Sequence, residues 1–152
     1  MTTRLVFNII AICGVATFAG VMLSIGLILG AYWKSLAPAA FLHWFGANAH
    51  FIARSIPIVV VPAAIGLAVS LWLGWPTPAR FLWLAALAGL AGVMIITVAY
   101  HLPANAVFEA KSIALEEVPA ALDRWLWLHA ARIALGLTAA VLGVLALSRQ
   151  AA

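Results

Sequence analysis

An imidazole and a guanidinium lie close together at the start of the last long apolar run, in the sequence Trp125-Leu126-Trp127-Leu128-His129-Ala130-Ala131-Arg132. At about 100° per residue on a helix, Trp125, His129 and Arg132 fall on one stripe. An arginine at the centre of a membrane helix costs about 2.5 to 3.5 kcal/mol, and less near an interface, so a polar stripe of this kind requires partners or a function. We therefore expect it to belong to a binding or catalytic site.

Two kinds of chemistry suit a pocket that contains histidine and arginine. Neutral imidazoles bind copper, iron or zinc, and several of them could hold a metal that activates dioxygen. Alternatively, one histidine acts as a general base on an acidic carbon while Asn and Arg donors stabilise the enolate oxygen, and this carbanion reacts with dioxygen without a cofactor. The spacing of His43 and His50 matches no familiar metal motif, so the sequence leaves both alternatives open.

The composition places these residues in a membrane protein. The 152 residues are 67% hydrophobic and only 8% charged, which is more apolar surface than one small water-soluble domain can bury. The eight basic residues are scattered at the ends of the apolar runs, which argues against a nucleic-acid partner. The one cysteine, Cys13, lies within the first apolar run, so an intrachain disulfide and a cysteine-based metal site are excluded.

Four apolar runs predict an all-α fold, a single-domain integral membrane four-helix bundle. The spans are expected at about residues 5–31, 56–73, 81–101 and 124–147, near or above the ~20 residues that cross the hydrocarbon core. The first run is too long for the apolar part of a signal peptide, and we expect it to be retained. Tryptophans would mark both membrane faces, with Trp33, Trp44, Trp125 and Trp127 at one and Trp72, Trp75 and Trp83 at the other.

The first and third connections are predicted to contain short interfacial helices. In the first connection, residues 32–54, one helical stripe would hold His43, Ala47, His50 and Arg54. In the third, residues 103–123, Pro103 is expected at the first position of a helix. Because residues 47–54 resemble residues 104–111, the chain could also consist of two helix-connection-helix repeats.

A four-span topology brings both of these connections to the same membrane face. All four histidines would lie at that face: His43, His50, His101 and His129. Asn48, Asn105 and Arg132 would lie there too, which predicts a polar pocket at one end of the bundle. Each histidine could instead only bridge a backbone carbonyl and water, and the basic residues of the connections could be snorkelling anchors.

Two motifs of the chain resemble the anthrone-oxygenase-like membrane proteins. They are Pro103-x-Asn105 after the third span and Trp125-x3-His129-x2-Arg132 at the start of the fourth. Characterised members oxidise anthrones to anthraquinones with dioxygen. The resemblance therefore implies a related oxidative activity without fixing the substrate, and we expect a membrane-embedded oxygenase that acts on a small lipophilic aromatic molecule, anthrone-like or quinone-like. It also implies catalytic roles for Asn105, His129 and Arg132, with His129 as base or metal ligand and the other two as oxyanion donors.

The remaining site residues follow from the predicted topology. Substrate contacts are expected from Trp44, Asn48, Phe51 and Trp125. Copper or iron would be bound by His43, His50, His101 and His129, and a reaction without a cofactor is the alternative.

The main competing function is a non-catalytic membrane subunit that binds metal, haem, quinone or a partner protein, and a homo-oligomer is left open. A transporter is disfavoured because no acidic residue lies at the centre of a span. The resemblance favours a bacterial inner membrane. Arg4 directly precedes the first span, which favours cytoplasmic termini and a pocket at the outer face.

Overall fold

The computed structural model describes residues 2–151, and its regular secondary structure is helical. Four long helices follow one another with short connections: α1 (Thr3–Ser35), α2 (Pro38–Gly74), α3 (Arg80–Glu109) and α4 (Val118–Ala151). All four are long and apolar enough to cross a membrane. The predicted all-helical, integral membrane four-helix bundle is therefore confirmed, whereas the orientation of the termini stays a prediction.

The helices form a closed bundle in which each one packs on two neighbours. α1 contacts α2 and α4, and α3 contacts α4 and α2. Small residues allow the closest approach between α1 and α2, since a Cβ added at Gly66 would lie only 2.5 Å from the backbone nitrogen of Ala11.

The first connection is shorter than the sequence predicts. Leu36 adopts an extended conformation that ends α1, and Pro38 at the start of α2 fits the first turn of a helix. Residues 38–54 then form the N-terminal part of α2 instead of a separate interfacial helix. Pro57 and Pro62 lie within α2 without ending it, because neighbouring helices in a membrane bundle support a backbone that lacks a hydrogen bond.

α2 is longer than the hydrocarbon core requires. Its 37 residues correspond to about 55 Å at 1.5 Å per residue, against a hydrocarbon core of ~30 Å. The uncharged part of α2 begins directly after Arg54, so the turns from Pro38 to Arg54 extend to or beyond the interface. The interfacial character predicted for this segment thus belongs to the end of a spanning helix.

α3 continues in the same way through the third connection. Its last segment, Leu102–Glu109, carries Pro103 in its first turn, as the sequence predicts. Lys111, at φ 53°, then turns the chain towards α4. The two-repeat interpretation stays a prediction.

Two short π-helical segments interrupt the regular helices, Ile25–Leu29 in α1 and Thr97–His101 in α3. Such segments occur often at functional sites, because the extra residue per turn changes where the following side chains point. Both lie at the same level of the bundle, between an apolar core around Trp83 and an aromatic cluster around Trp33.

Candidate functional site

A cavity of about 200 Å³ lies between these two clusters, near the face that holds the first and third connections. All four helices contribute to its wall. α1 provides Ile25 and Trp33, and α4 provides Trp125, His129 and Arg132. The remaining wall is formed by residues of α2 and α3: Phe45, Ala49, Ile52, Ala53, Ile56, Pro57, Thr97, His101, Leu102, Asn105 and Glu109. Most of this wall is apolar, and its polar atoms are few and close together.

His129 is buried and has a defined tautomer. Its Nε2 lies 2.7 Å from the backbone carbonyl oxygen of Met22 in α1. A carbonyl oxygen only accepts hydrogen bonds, so Nε2 carries the proton and donates. In the neutral ring Nδ1 then holds a lone pair, and this buried atom has no hydrogen-bond partner among the residues described. His129 can therefore accept a proton or a hydrogen bond from a molecule in the cavity.

Gly26 provides the space that this imidazole occupies. A Cβ added at Gly26 would lie 3.1 Å from Cδ2 of His129 and 3.2 Å from Cδ1 of Ile133. Any side chain at this position would therefore push the imidazole away from α1.

His101 adds a second buried imidazole to the cavity wall. Its Nδ1 lies 3.4 Å from the carbonyl oxygen of Ile96, a long contact that favours the proton on Nδ1. Its Nε2 is buried and has no partner in the described part of the chain. The ring centroids of His101 and His129 are 6.0 Å apart, so both imidazoles can contact one small molecule.

Arg132 is a buried cation in an apolar environment. Only 7% of the residue is exposed, its Nη2 donates to Sδ of Met22 at 3.0 Å, and its Nε has no partner. Among residues 2–151 no carboxylate pairs with it. Because an unpaired buried charge is costly, this guanidinium favours binding of an anion or of an oxygen that gains negative charge.

Trp125 connects Asn105 to His129. Its indole N–H donates to Oδ1 of Asn105 at 2.9 Å, and its ring stacks on His129 with centroids 4.8 Å apart and planes inclined by 16°. The bond leaves the Asn105 amide N–H groups free to donate elsewhere. Trp125, Asn105, His129 and Arg132, all predicted site residues, therefore lie together in the wall of one cavity.

The predicted substrate-binding residues of α2 lie outside this wall. Asn48 donates to the carbonyl oxygen of Trp44 at 2.8 Å, and Trp44 packs on Trp33 in the aromatic cluster. Phe51 is 61% exposed, with its ring 3.9 Å from that of His50. Their neighbours in sequence line the cavity in their place: Phe45, Ala49 and Ile52.

The predicted cluster of four histidines is not formed. His43 and His50 share one face of α2, as their spacing predicts, but that face is exposed and points away from His101 and His129. Within residues 2–151 no group of three or more His, Cys, Asp or Glu side chains is placed to hold a metal ion. A metal bound by His43, His50, His101 and His129 is therefore not supported. The reason is the rotation of α2, which turns its aromatic and alanine face towards the bundle.

The site also involves Met22, Gly26 and Trp33, which were not predicted as site residues from the sequence. Met22 contributes a backbone carbonyl, which leaves no signal in the sequence. Gly26 belongs to a series of small residues in the first apolar run that predicts close packing against another helix, and only the structure shows that its neighbour there is the imidazole of His129. Trp33 is buried, and its indole N–H has no partner among the described residues although the ring lines the cavity.

The chain matches a protein-family model over most of its length. The model described as Anthrone oxygenase matches residues 41–142, more than half of the chain. This match confirms the family to which the two sequence motifs pointed. Neither a curated protein nor a solved structure matches the chain. The matched region includes α3 and the site residues of α4, and it leaves out α1, which supplies Met22 and Gly26.

Proposed function

Because the chain belongs to the anthrone oxygenase family, we propose that it is a membrane-embedded oxygenase whose substrate, a small lipophilic aromatic molecule, binds in the cavity beside His129. The observation that supports this proposal best is the pairing of an unprotonated buried Nδ1 on His129 with the unpaired guanidinium of Arg132. A base next to a fixed positive charge suits the removal of a proton from a carbon whose negative charge moves onto an oxygen.

In the proposed reaction, the substrate carries a CH₂ group conjugated with a carbonyl. Nδ1 of His129 takes one proton from this carbon, and the electron pair of the C–H bond moves to the carbonyl oxygen. Arg132 and the amide group of Asn105 donate hydrogen bonds to the resulting enolate oxygen. Stabilisation of such an oxyanion contributes about 10² to 10³ in rate per donor in known enzymes.

Dioxygen then reacts with the enolate. A C–O bond forms at the deprotonated carbon, and uptake of a proton gives a hydroperoxide. Loss of the second C–H proton, for which Nε2 of His101 is available, breaks the O–O bond and releases water. The CH₂ group becomes a carbonyl, one oxygen atom of dioxygen stays in the product, and the substrate supplies all four electrons. These reaction steps require no external reductant.

The apolar wall suits the rings of such a substrate. Phe45, Ile52 and Ile56 of α2 lie across the cavity from the polar atoms of α3 and α4. An apolar cavity of ~150 Å³ accommodates benzene, so the ≈ 200 Å³ found in this bundle admits a substituted ring, and a larger ring system would extend through the open side.

The test is dioxygen uptake by the purified protein in lipid nanodiscs with anthrone as the first substrate. With ¹⁸O₂, we expect anthraquinone that contains one ¹⁸O atom, and His129→Gln should lower the rate by about 10² to 10⁴, as expected for loss of a general base. The matched control is His50→Gln, because His50 is exposed and outside the cavity. Binding of anthrone without dioxygen uptake would contradict the oxygenase and favour a non-catalytic ligand-binding subunit.

A further inference from the structure

Within residues 2–151, every exposed residue of the cavity wall belongs to α2 or α3, so the cavity opens between these two helices. All of its wall residues from α1 and α4 are buried: Ile25, Trp33, Trp125, His129 and Arg132. The exposed wall residues are Ala53 and Pro57 in α2 and Leu102 and Glu109 in α3. A molecule that enters the cavity without displacing a helix must therefore pass between these two helices.

Most of this opening faces the apolar part of the bilayer. Next to the opening, on the side of the membrane centre, the exposed residues are Ile58 of α2 and Ile95 and Val98 of α3, and each is 60% exposed or more. Glu109 borders the opening on the opposite side, and the exposed Arg54 follows the wall residue Ala53 in α2. The opening thus lies where the hydrocarbon core meets the headgroups, with its longer apolar edge in contact with lipid.

The backbone of α2 is less constrained where it borders the opening. Pro57 has no N–H to donate to the carbonyl of Ala53, so the helix lacks one hydrogen bond at the opening. Ala53 has a small side chain, whereas the opposite edge carries Leu102, of which 55% is exposed. Leu102 is therefore the largest aliphatic side chain that borders the gap.

From this geometry we infer that ligands enter and leave the cavity laterally from the bilayer, through the gap bordered by Ala53, Pro57 and Leu102, and that Leu102 sets the width of this entrance. The inference rests on the proposed function only for the nature of the ligand, a lipophilic aromatic molecule. Such a molecule is concentrated in the bilayer, so a lateral entrance gives it a direct path to His129.

The test measures access without turnover. In vesicles, a Cys13→Ser background removes the exposed native thiol, and Ala49→Cys places a reporter thiol in the cavity wall. The probes are N-phenylmaleimide, which dissolves in the bilayer, and a membrane-impermeant sulfonated thiosulfonate reagent. The labelling rates of both probes are compared between the reporter protein and variants that also carry Leu102→Trp or a control substitution, Val98→Trp. Val98 lies one turn away from Leu102 on the exposed face of α3, outside the cavity wall.

We expect N-phenylmaleimide to react faster than the charged reagent, and Leu102→Trp to slow its reaction by at least about tenfold, because a bulky side chain must be displaced before the probe can pass. Val98→Trp should leave the rate unchanged. Equal rates with and without the Leu102→Trp substitution, or faster labelling by the charged reagent that Glu109→Trp suppresses, would show entry from water and overturn the inference. Thiol labelling needs no turnover. The labelling test can therefore contradict the lateral entrance while dioxygen uptake supports the proposed function, or support the entrance while dioxygen uptake is absent.

Discussion

The backbone carbonyl oxygen of Met22 lies 2.7 Å from Nε2 of His129 and fixes the proton of that imidazole on the side that faces α1. The side chain of the same methionine accepts a hydrogen bond from Arg132. One residue of α1 thus positions two side chains of α4, one through its backbone and one through its sulfur. These two contacts can be separated by substitution.

Substitution of Met22 by Leu should affect Arg132 more than His129. Leucine keeps the carbonyl and nearly the volume of methionine, but it removes the acceptor for Nη2 of Arg132. A hydrogen bond of this kind contributes about 0.5–1.5 kcal/mol, so we expect kcat/KM for dioxygen-dependent turnover to fall roughly 2- to 13-fold. Steady-state oxygen electrode measurements at several substrate concentrations provide the values. An unchanged kcat/KM would mean that the sulfur contact does not position Arg132 for catalysis.

Gly26→Ala should disturb His129 directly. The added Cβ would lie 3.1 Å from Cδ2 of the imidazole, so the ring must move by a few tenths of an ångström and the bond to Met22 must lengthen. We expect a clear loss of activity in a protein that still folds. Gly20→Ala is the matched control, because a Cβ at Gly20 meets nothing within 4 Å and alanine favours a helix by about 1 kcal/mol over glycine. Activity and thermal unfolding of both variants decide the question, and equal activity of the two would contradict the predicted displacement.

Two substitutions of Asn105 separate its contact to Trp125 from its contact to a ligand. Asn105→Leu leaves the buried indole N–H of Trp125 without an acceptor, which should lower the free energy of unfolding by about 1–3 kcal/mol. Asn105→Asp keeps an acceptor and should retain most of the stability, but it loses the amide donor and places a negative charge near the enolate. We therefore expect both variants to lose activity and only the leucine variant to lose stability, as measured by denaturation in detergent. Equal stability of the two would argue against the hydrogen bond.

Arg132→Met should abolish turnover without a loss of stability. Arg132 is buried without an anionic partner among residues 2–151, and an unpaired buried charge is costly, so its replacement by an apolar side chain of similar length should not destabilise the fold. We expect the melting temperature to stay equal or rise while dioxygen uptake disappears. A large fall in melting temperature would show that Arg132 has a structural role that outweighs the cost of its burial.

The number of spanning helices could be predicted from sequence because the bilayer imposes a minimum length on each, whereas their full lengths, such as the 37 residues of α2, could not. Every backbone polar group in the hydrocarbon core must be paired, so four predominantly apolar runs of this length are expected to be helices. Helical periodicity also places Trp125, His129 and Arg132 on one face of α4, and all three lie in the cavity wall. Their proposed roles stay predictions.

Only the tertiary structure decided which face of α2 meets the other helices. The sequence predicted a stripe with His43 and His50, whereas the structure buries the stripe that contains Phe45 and Ala49. Periodicity identifies the members of a stripe but not its direction, which depends on the packing of whole helices. The position of the proton on His129 was also decided only by the tertiary structure. The acceptor that fixes it is the backbone carbonyl of Met22, 107 residues away in sequence. Because almost every residue has such a carbonyl, the sequence does not show which one accepts this hydrogen bond.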